Sequence, residues 1–125
     1  MLNDKRVVFD TNVVIGILNG DVDPESLQRF DRVFISTMTI MEVFALAGMS
    51  MDEELRIRRL LQAMNAVPVS EFIAQRAGYL AKTRKKDRVD ILIAATALEL
   101  DLPLITRNIK DFKNVPGLRL ENPFT

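Results

Sequence analysis

The chain interleaves short apolar runs with longer helical patterns, and that order constrains what it can build. Residues 5–9 form a Val-rich run bounded by charge, which predicts a buried strand. The apolar residues 12–18 open a helix, and Gly20-Asp21-Val22-Asp23-Pro24 is a turn. Residues 33–35 predict a second short strand, after which Ser36 or Thr37 can cap a helix. Ser50-Met51-Asp52-Glu53 has the spacing of a capping box. Behind it, Ile57, Leu60, Leu61 and Met64 recur at i, i+3, i+4 and i+7, one apolar stripe of a helix. Pro68 and Ser70 punctuate, and the next helix spans about residues 71–83, with Ile73, Ala77 and Leu80 on its stripe. Residues 84–88 are a charged connection, and residues 90–100 are apolar nearly all round, as in a buried helix. Residues 102–105 predict a third strand, residues 107–112 a polar turn or short helix, and residues 118–120 an edge strand beyond Gly117.

Short strands separated by one or more helices imply an α/β fold with a parallel sheet covered on both faces. Residues 1–125 contain no repeat, linker or low-complexity segment, so one domain is expected. No apolar run reaches the roughly 18 residues of a membrane span, and residues 1–6 carry no signal-peptide pattern. A cytoplasmic location is the expectation.

Charge singles out four acids against this background. Asp10 ends the run Val7-Val8-Phe9, Glu42 is the only charge in MTIMEVFALA, and Asp90 is the only charge in VDILIAATAL. Asp111 follows the third strand and the turn Thr106-Arg107-Asn108. A carboxylate in an apolar element costs several kcal/mol unless a cation meets it, and no cation stands at helical spacing on the buried faces around Glu42 or Asp90. A shared divalent metal resolves all four. Asp10 and the turn carrying Asp111 lie at the carboxyl ends of expected parallel strands, where α/β sheets bind ligands. Glu42 follows a strand end by six residues and Asp90 stands at a helix start, so all four can meet at one rim.

Composition narrows the chemistry. Zero Cys and zero His remove thiolate nucleophiles, the commonest general base and the commonest transition-metal ligand. What remains suits hard, oxygen-loving ions, Mg²⁺ or Mn²⁺. At such ions water attacks a phosphodiester without a covalent intermediate. Equal counts of 17 basic and 17 acidic residues argue against a protein that merely coats nucleic acid.

The segments VVFDTNVVIGIL, ISTMTIMEVFAL, DRVDILIAATAL and LITRNIKDF, in this order, resemble a PIN-domain nuclease, and most closely the VapC-type toxin ribonucleases of toxin–antitoxin pairs. The resemblance runs over residues 7–112. It implies a three-layer α/β/α sandwich with a parallel central sheet and metal-binding acids at Asp10, Glu42, Asp90 and Asp111. It also implies one or two Mg²⁺ or Mn²⁺ ions, support from Asn12, Thr106 and Asn108, an RNA substrate, a homodimer and a small antitoxin partner. Many relatives carry a Gly in the loop before the third acid, where this chain has Arg84-Lys85-Lys86-Asp87-Arg88. Asp87 competes with Asp90 there, and the resemblance favours Asp90, which alone stands three residues before Ile93-Ala94-Ala95 as in the family pattern.

Each singled-out residue also has a plain structural reading. Asp10 can be a helix cap, Glu42 one half of an ion pair, Asp90 an acid favoured by a helix N-terminus, and Asp111 an exposed turn acid between Lys110 and Lys113. Arg84, Lys85, Lys86 and Arg88 form either a phosphate-steering rim or a solvated loop face. The helices between residues 38 and 64 offer either a groove for an antitoxin helix or a dimer contact. The competing function is a catalytically silent PIN domain that binds RNA or protein. An aspartate-nucleophile phosphatase is a weak alternative, because it needs a second Asp where Asn12 stands.

Overall fold

β1 (Arg6–Phe9) sends Val7 and Phe9 into one core and Val8 into another. The two-residue side-chain period of a strand does this only when both faces are covered. β2 (Arg32–Ser36) repeats the pattern, with Val33 and Ile35 facing the first core and Phe34 the second. In β4 (Leu104–Ile105) the two residues again part company. The computed structural model describes residues 5–48, 50–85 and 87–124.

With β3 (Asn65–Val67) and β5 (Leu120–Glu121), these strands form one parallel sheet in the order β3-β2-β1-β4-β5. Residues of α1 (Thr11–Asn19), α2 (Thr37–Leu46) and α3 (Met51–Gln62) build the first core. Those of α4 (Glu71–Ala81) and α5 (Arg88–Leu100) build the second. The result is the three-layer α/β/α sandwich. Because β2 and β4 flank β1 on opposite sides, the strand order reverses at β1, the position at which such sheets open a crevice at their carboxyl edge.

Several boundaries differ from expectation for local reasons. β3 lies where the sequence shows only punctuation. It is a short, largely exposed edge held by pairing with β2 and by the Asn65 amide donating to the Val33 carbonyl, so it has no apolar alternation to announce it. The expected third strand is β4 and starts at Leu104, two residues late. The turn at residues 20–24 continues into a 3-10 segment, Pro24–Arg29, whose start is capped by the Asp23 carboxylate. The helix expected over residues 71–83 ends at Ala81. Ser50 caps α3 by accepting from the Glu53 N–H at 3.2 Å, one arm of the capping box. No described helix is long and apolar enough to cross a membrane.

Candidate active site

Four different segments deliver the acids. Asp10 follows β1 and is 2% exposed; Glu42 sits mid-α2, Asp90 in the first turn of α5 and Asp111 in a 3-10 turn after β4, all three half-buried. Asp10 occupies the N-cap position of α1 with extended backbone, yet its side chain makes no capping bond. It turns instead to the Thr106 hydroxyl, which donates to Asp10 Oδ2 at 2.9 Å across the β1–β4 junction. The Asn12 amide reaches the same oxygen at a long 3.4 Å. Capping therefore does not explain Asp10.

Asp87 and Asp90 do different things at the start of α5. Asp87 is the N-cap of α5, accepting from the N–H groups of Val89 and Asp90 at 2.7 and 3.4 Å. Asp90 is left free of that duty, and it lines a small cavity with Arg84, Ile91, Asp111 and Phe112. Asp111 is steadied by the Asn108 side-chain amide, and the Asn108 backbone N–H donates to Thr106 Oγ1 at 3.0 Å. Thr106 and Asn108 thus tie Asp10 and Asp111 into one hydrogen-bonded corner.

Two site residues were not anticipated. Thr11 donates its hydroxyl to Glu42 Oε1 at 2.6 Å, and its oxygen lies 2.9 Å from that of the buried Thr39. Since a hydroxyl has one proton, Thr39 must donate to Thr11 and Thr11 to Glu42. A relay of this polarity fixes the carboxylate while satisfying two buried hydroxyls. The available signals were the position of Thr11 beside Asp10 and of Thr39 one helical turn before Glu42.

Electrostatics binds the four acids into one group. Burial pushes Asp10 up to about 6, against bonds from the Thr106 side chain and the Thr11 backbone that hold it down, and the charges of Glu42 and Asp111 add to the rise. Asp90 is likewise pushed up to about 6, first by burial and then by the charges of Asp10, Asp87, Asp111 and Glu42. No described Lys or Arg forms an ion pair with any of the four. Among the described residues no three acids stand close enough to form a ready-made cage. Mg²⁺ does not require such a cage, since it binds through one or two carboxylates and keeps several waters. An all-oxygen donor set with unbalanced negative charge fits that ion.

Thr106→Val keeps shape and removes the hydroxyl shared by Asp10 and Asn108. The expected result is a fall in Mn²⁺ affinity of about 10–100-fold, the usual effect of losing a ligand's support, read by calorimetric titration. Unchanged affinity would show that Asp10 needs no such orientation.

The basic residues divide. Lys85 and Arg88 are exposed beside the rim, whereas Arg84 is half-buried and bonded to protein groups. Lys86 lies outside the described residues.

Residues 7–118 match the family model described as PIN domain. Ribonuclease VapC10 of Mycobacterium tuberculosis is 33% identical over 85% of this chain and 85% of its own length. Ribonuclease VapC of Rickettsia bellii is 25% identical over 91% of this chain and 93% of its own. Among solved structures, a toxin–antitoxin complex from Klebsiella pneumoniae contains a chain with a TM-score of 0.79 and 34% identity, covering 94% of this chain and 97% of that one. A chain of VapBC-1 from nontypeable Haemophilus influenzae gives 0.81 at 25% identity, covering 94% and 97%.

Proposed function

We propose, from the premise that this chain belongs to the PIN-domain family, that it is the ribonuclease toxin of a toxin–antitoxin pair. It hydrolyses RNA phosphodiester bonds with one or two Mg²⁺ or Mn²⁺ ions held by Asp10, Glu42, Asp90 and Asp111. The observation that carries this reading is the mutual charge coupling of four acids from four segments, two of them raised to about 6, with no described cation paired to them. A bound divalent ion supplies the charge that acidifies a water and offsets charge on the phosphate.

The chain's own residues set the rest. Thr106 holds Asp10 toward the rim, and the Thr39–Thr11 relay holds Glu42. Neither Thr11 nor Thr106 can attack phosphorus, because both hydroxyls are buried and already donated to carboxylates. With no Cys or His anywhere in the chain, water is the nucleophile. Lys85 and Arg88 draw the RNA backbone to the rim. Cytoplasmic RNA is the natural target.

An antitoxin helix fits the groove between α1, α2 and α3, lined by Leu18, Val43, Leu46, Ala47 and Ile57, with Leu46 71% and Met51 79% exposed nearby. A second copy fits the outer face of α4, where Phe72 and Tyr79 are exposed beside the Arg76–Glu99 ion pair over a cleft of about 500 Å³. A two-fold contact sets a patch against itself, and a patch carrying both charges and aromatic rings suits that. Tyr79→Asp is expected to give monomers in sedimentation, and a variant that stays dimeric would remove α4 from the interface.

The functional test is cleavage of a mixed structured and single-stranded RNA pool in Mg²⁺, Mn²⁺ or EDTA. Cutting that requires metal supports the nuclease. Folded, antitoxin-free protein that neither cuts nor binds Mn²⁺ would be the silent binding module instead.

A further inference from the structure

Arg84 differs from Lys85 and Arg88 in being built into the fold. Its Nη2 donates to the Asn114 backbone carbonyl at 2.7 Å and its Nη1 to the Thr83 hydroxyl at 2.9 Å. Its Nε is buried, with no hydrogen-bond partner among the described residues. With Asp111 and Val115, Arg84 lines both of two hollows: the small cavity that Asp90 also lines, and an open cleft bordered by Lys85 and Asn114.

We propose that Arg84 is a positioning residue that ties the segment leading into Asp90 to the segment following Asp111, and so sets how the two carboxylates stand toward a shared ion. Its place in the chain fits this role. Asp90 comes six residues after Arg84, and Asn114 three residues after Asp111. The bond to the Asn114 carbonyl spans 30 residues of sequence. A mobile phosphate-steering arm would stand in solvent with all its donors hydrated, as lysines do. Arg84 instead donates to two protein oxygens. What the site uses is the fork: one planar group reaches two acceptors on different segments, which an ammonium on a flexible stem does not reproduce. Because the guanidinium is anchored to a backbone carbonyl and pairs with neither acid, both carboxylates stay available to a metal.

This inference rests on the metal-nuclease reading, and its test separates the two. Mn²⁺ alone is titrated calorimetrically into wild type, Arg84→Lys, Thr83→Val and Lys85→Ala, each with an unchanged circular dichroism spectrum, and kcat and KM for RNA cleavage are measured beside it. Arg84→Lys keeps volume and charge. It is expected to weaken Mn²⁺ binding about 10-fold or more and to lower kcat with KM within about twofold. Thr83→Val, losing one of the two anchors, is expected to weaken Mn²⁺ binding about threefold, within the smaller range of a neutral hydrogen bond. Lys85→Ala should leave Mn²⁺ affinity alone and raise KM, with a shallower dependence on salt. Wild-type Mn²⁺ affinity in both Arg84→Lys and Thr83→Val, or a change in KM alone for Arg84→Lys, would overturn the positioning role and return Arg84 to the steering rim. Failure of wild type itself to bind Mn²⁺ would instead sink the metal site on which the inference stands.

Discussion

Asp10→Asn is expected to abolish RNA cleavage and, at the same time, to stabilise the metal-free protein at neutral pH. The two effects have one cause. Burial drives the Asp10 carboxyl from 3.8 to about 6, so the ionised form is disfavoured in the fold by roughly 3 kcal/mol. Asparagine removes that charge while its side-chain carbonyl still accepts from Thr106. Against this stands the weaker neutral bond, a loss of about 1 kcal/mol. A net gain of about 1–2 kcal/mol should appear as a rise in melting temperature of about 4–8 °C. Loss of charge stabilisation by the ion is worth several kcal/mol, so cleavage should fall by about 10³-fold or more. The stability gain also has a definite pH window. A carboxyl raised in the folded state makes the fold bind more protons than the unfolded chain between about 4 and 6. Its ionisation therefore lowers stability progressively as pH rises through that range. The advantage of Asp10→Asn should be complete above about pH 6 and absent below about pH 4. A variant that melts lower than wild type at pH 7.5 would make Asp10 a structural residue.

The second large effect is that of the ion itself. Wild type at pH 7.5 with Mn²⁺ at about 100 times its dissociation constant should gain about 2.7 kcal/mol, near 10 °C in melting temperature. EDTA should reverse it. The gain should shrink toward pH 5, where protons compete for Asp10 and Asp90, both raised to about 6. Asp90 is only partly buried, so solvent screens its charge more than that of Asp10. In a variant with both Asp10→Asn and Asp90→Asn the stabilisation by Mn²⁺ should vanish. Equal stabilisation of that double variant would place the ion elsewhere on the molecule.

The acids were legible in the chain because an isolated charge in an apolar segment is conspicuous and costly wherever it folds. Asp10, Glu42 and Asp90 stand out in that way from their immediate neighbours alone. Thr11 and Thr39 did not, since a threonine near a helix start has many ordinary uses, and only the approach of α1 to α2 turns these two into a relay for Glu42. β3 escaped notice because an exposed edge strand needs only backbone pairing. Arg84 read as one more charge in a basic loop until the Asn114 carbonyl, 30 residues away, took hold of it.

The sequence by itself determined the alternation of strands and helices, the parallel covered sheet and the kind of donor available to a ligand. These follow from periodicity, caps and composition, which act over a few neighbouring residues. The tertiary structure decided which acid caps and which stays free, how Asp10 and Glu42 are held, and how far the Asp10 and Asp90 carboxyls are raised. Those properties depend on burial and on charges brought together from β1, α2, α5 and the turn after β4. Desolvation and Coulomb repulsion are set by distance in space, and separation along the chain does not encode that distance.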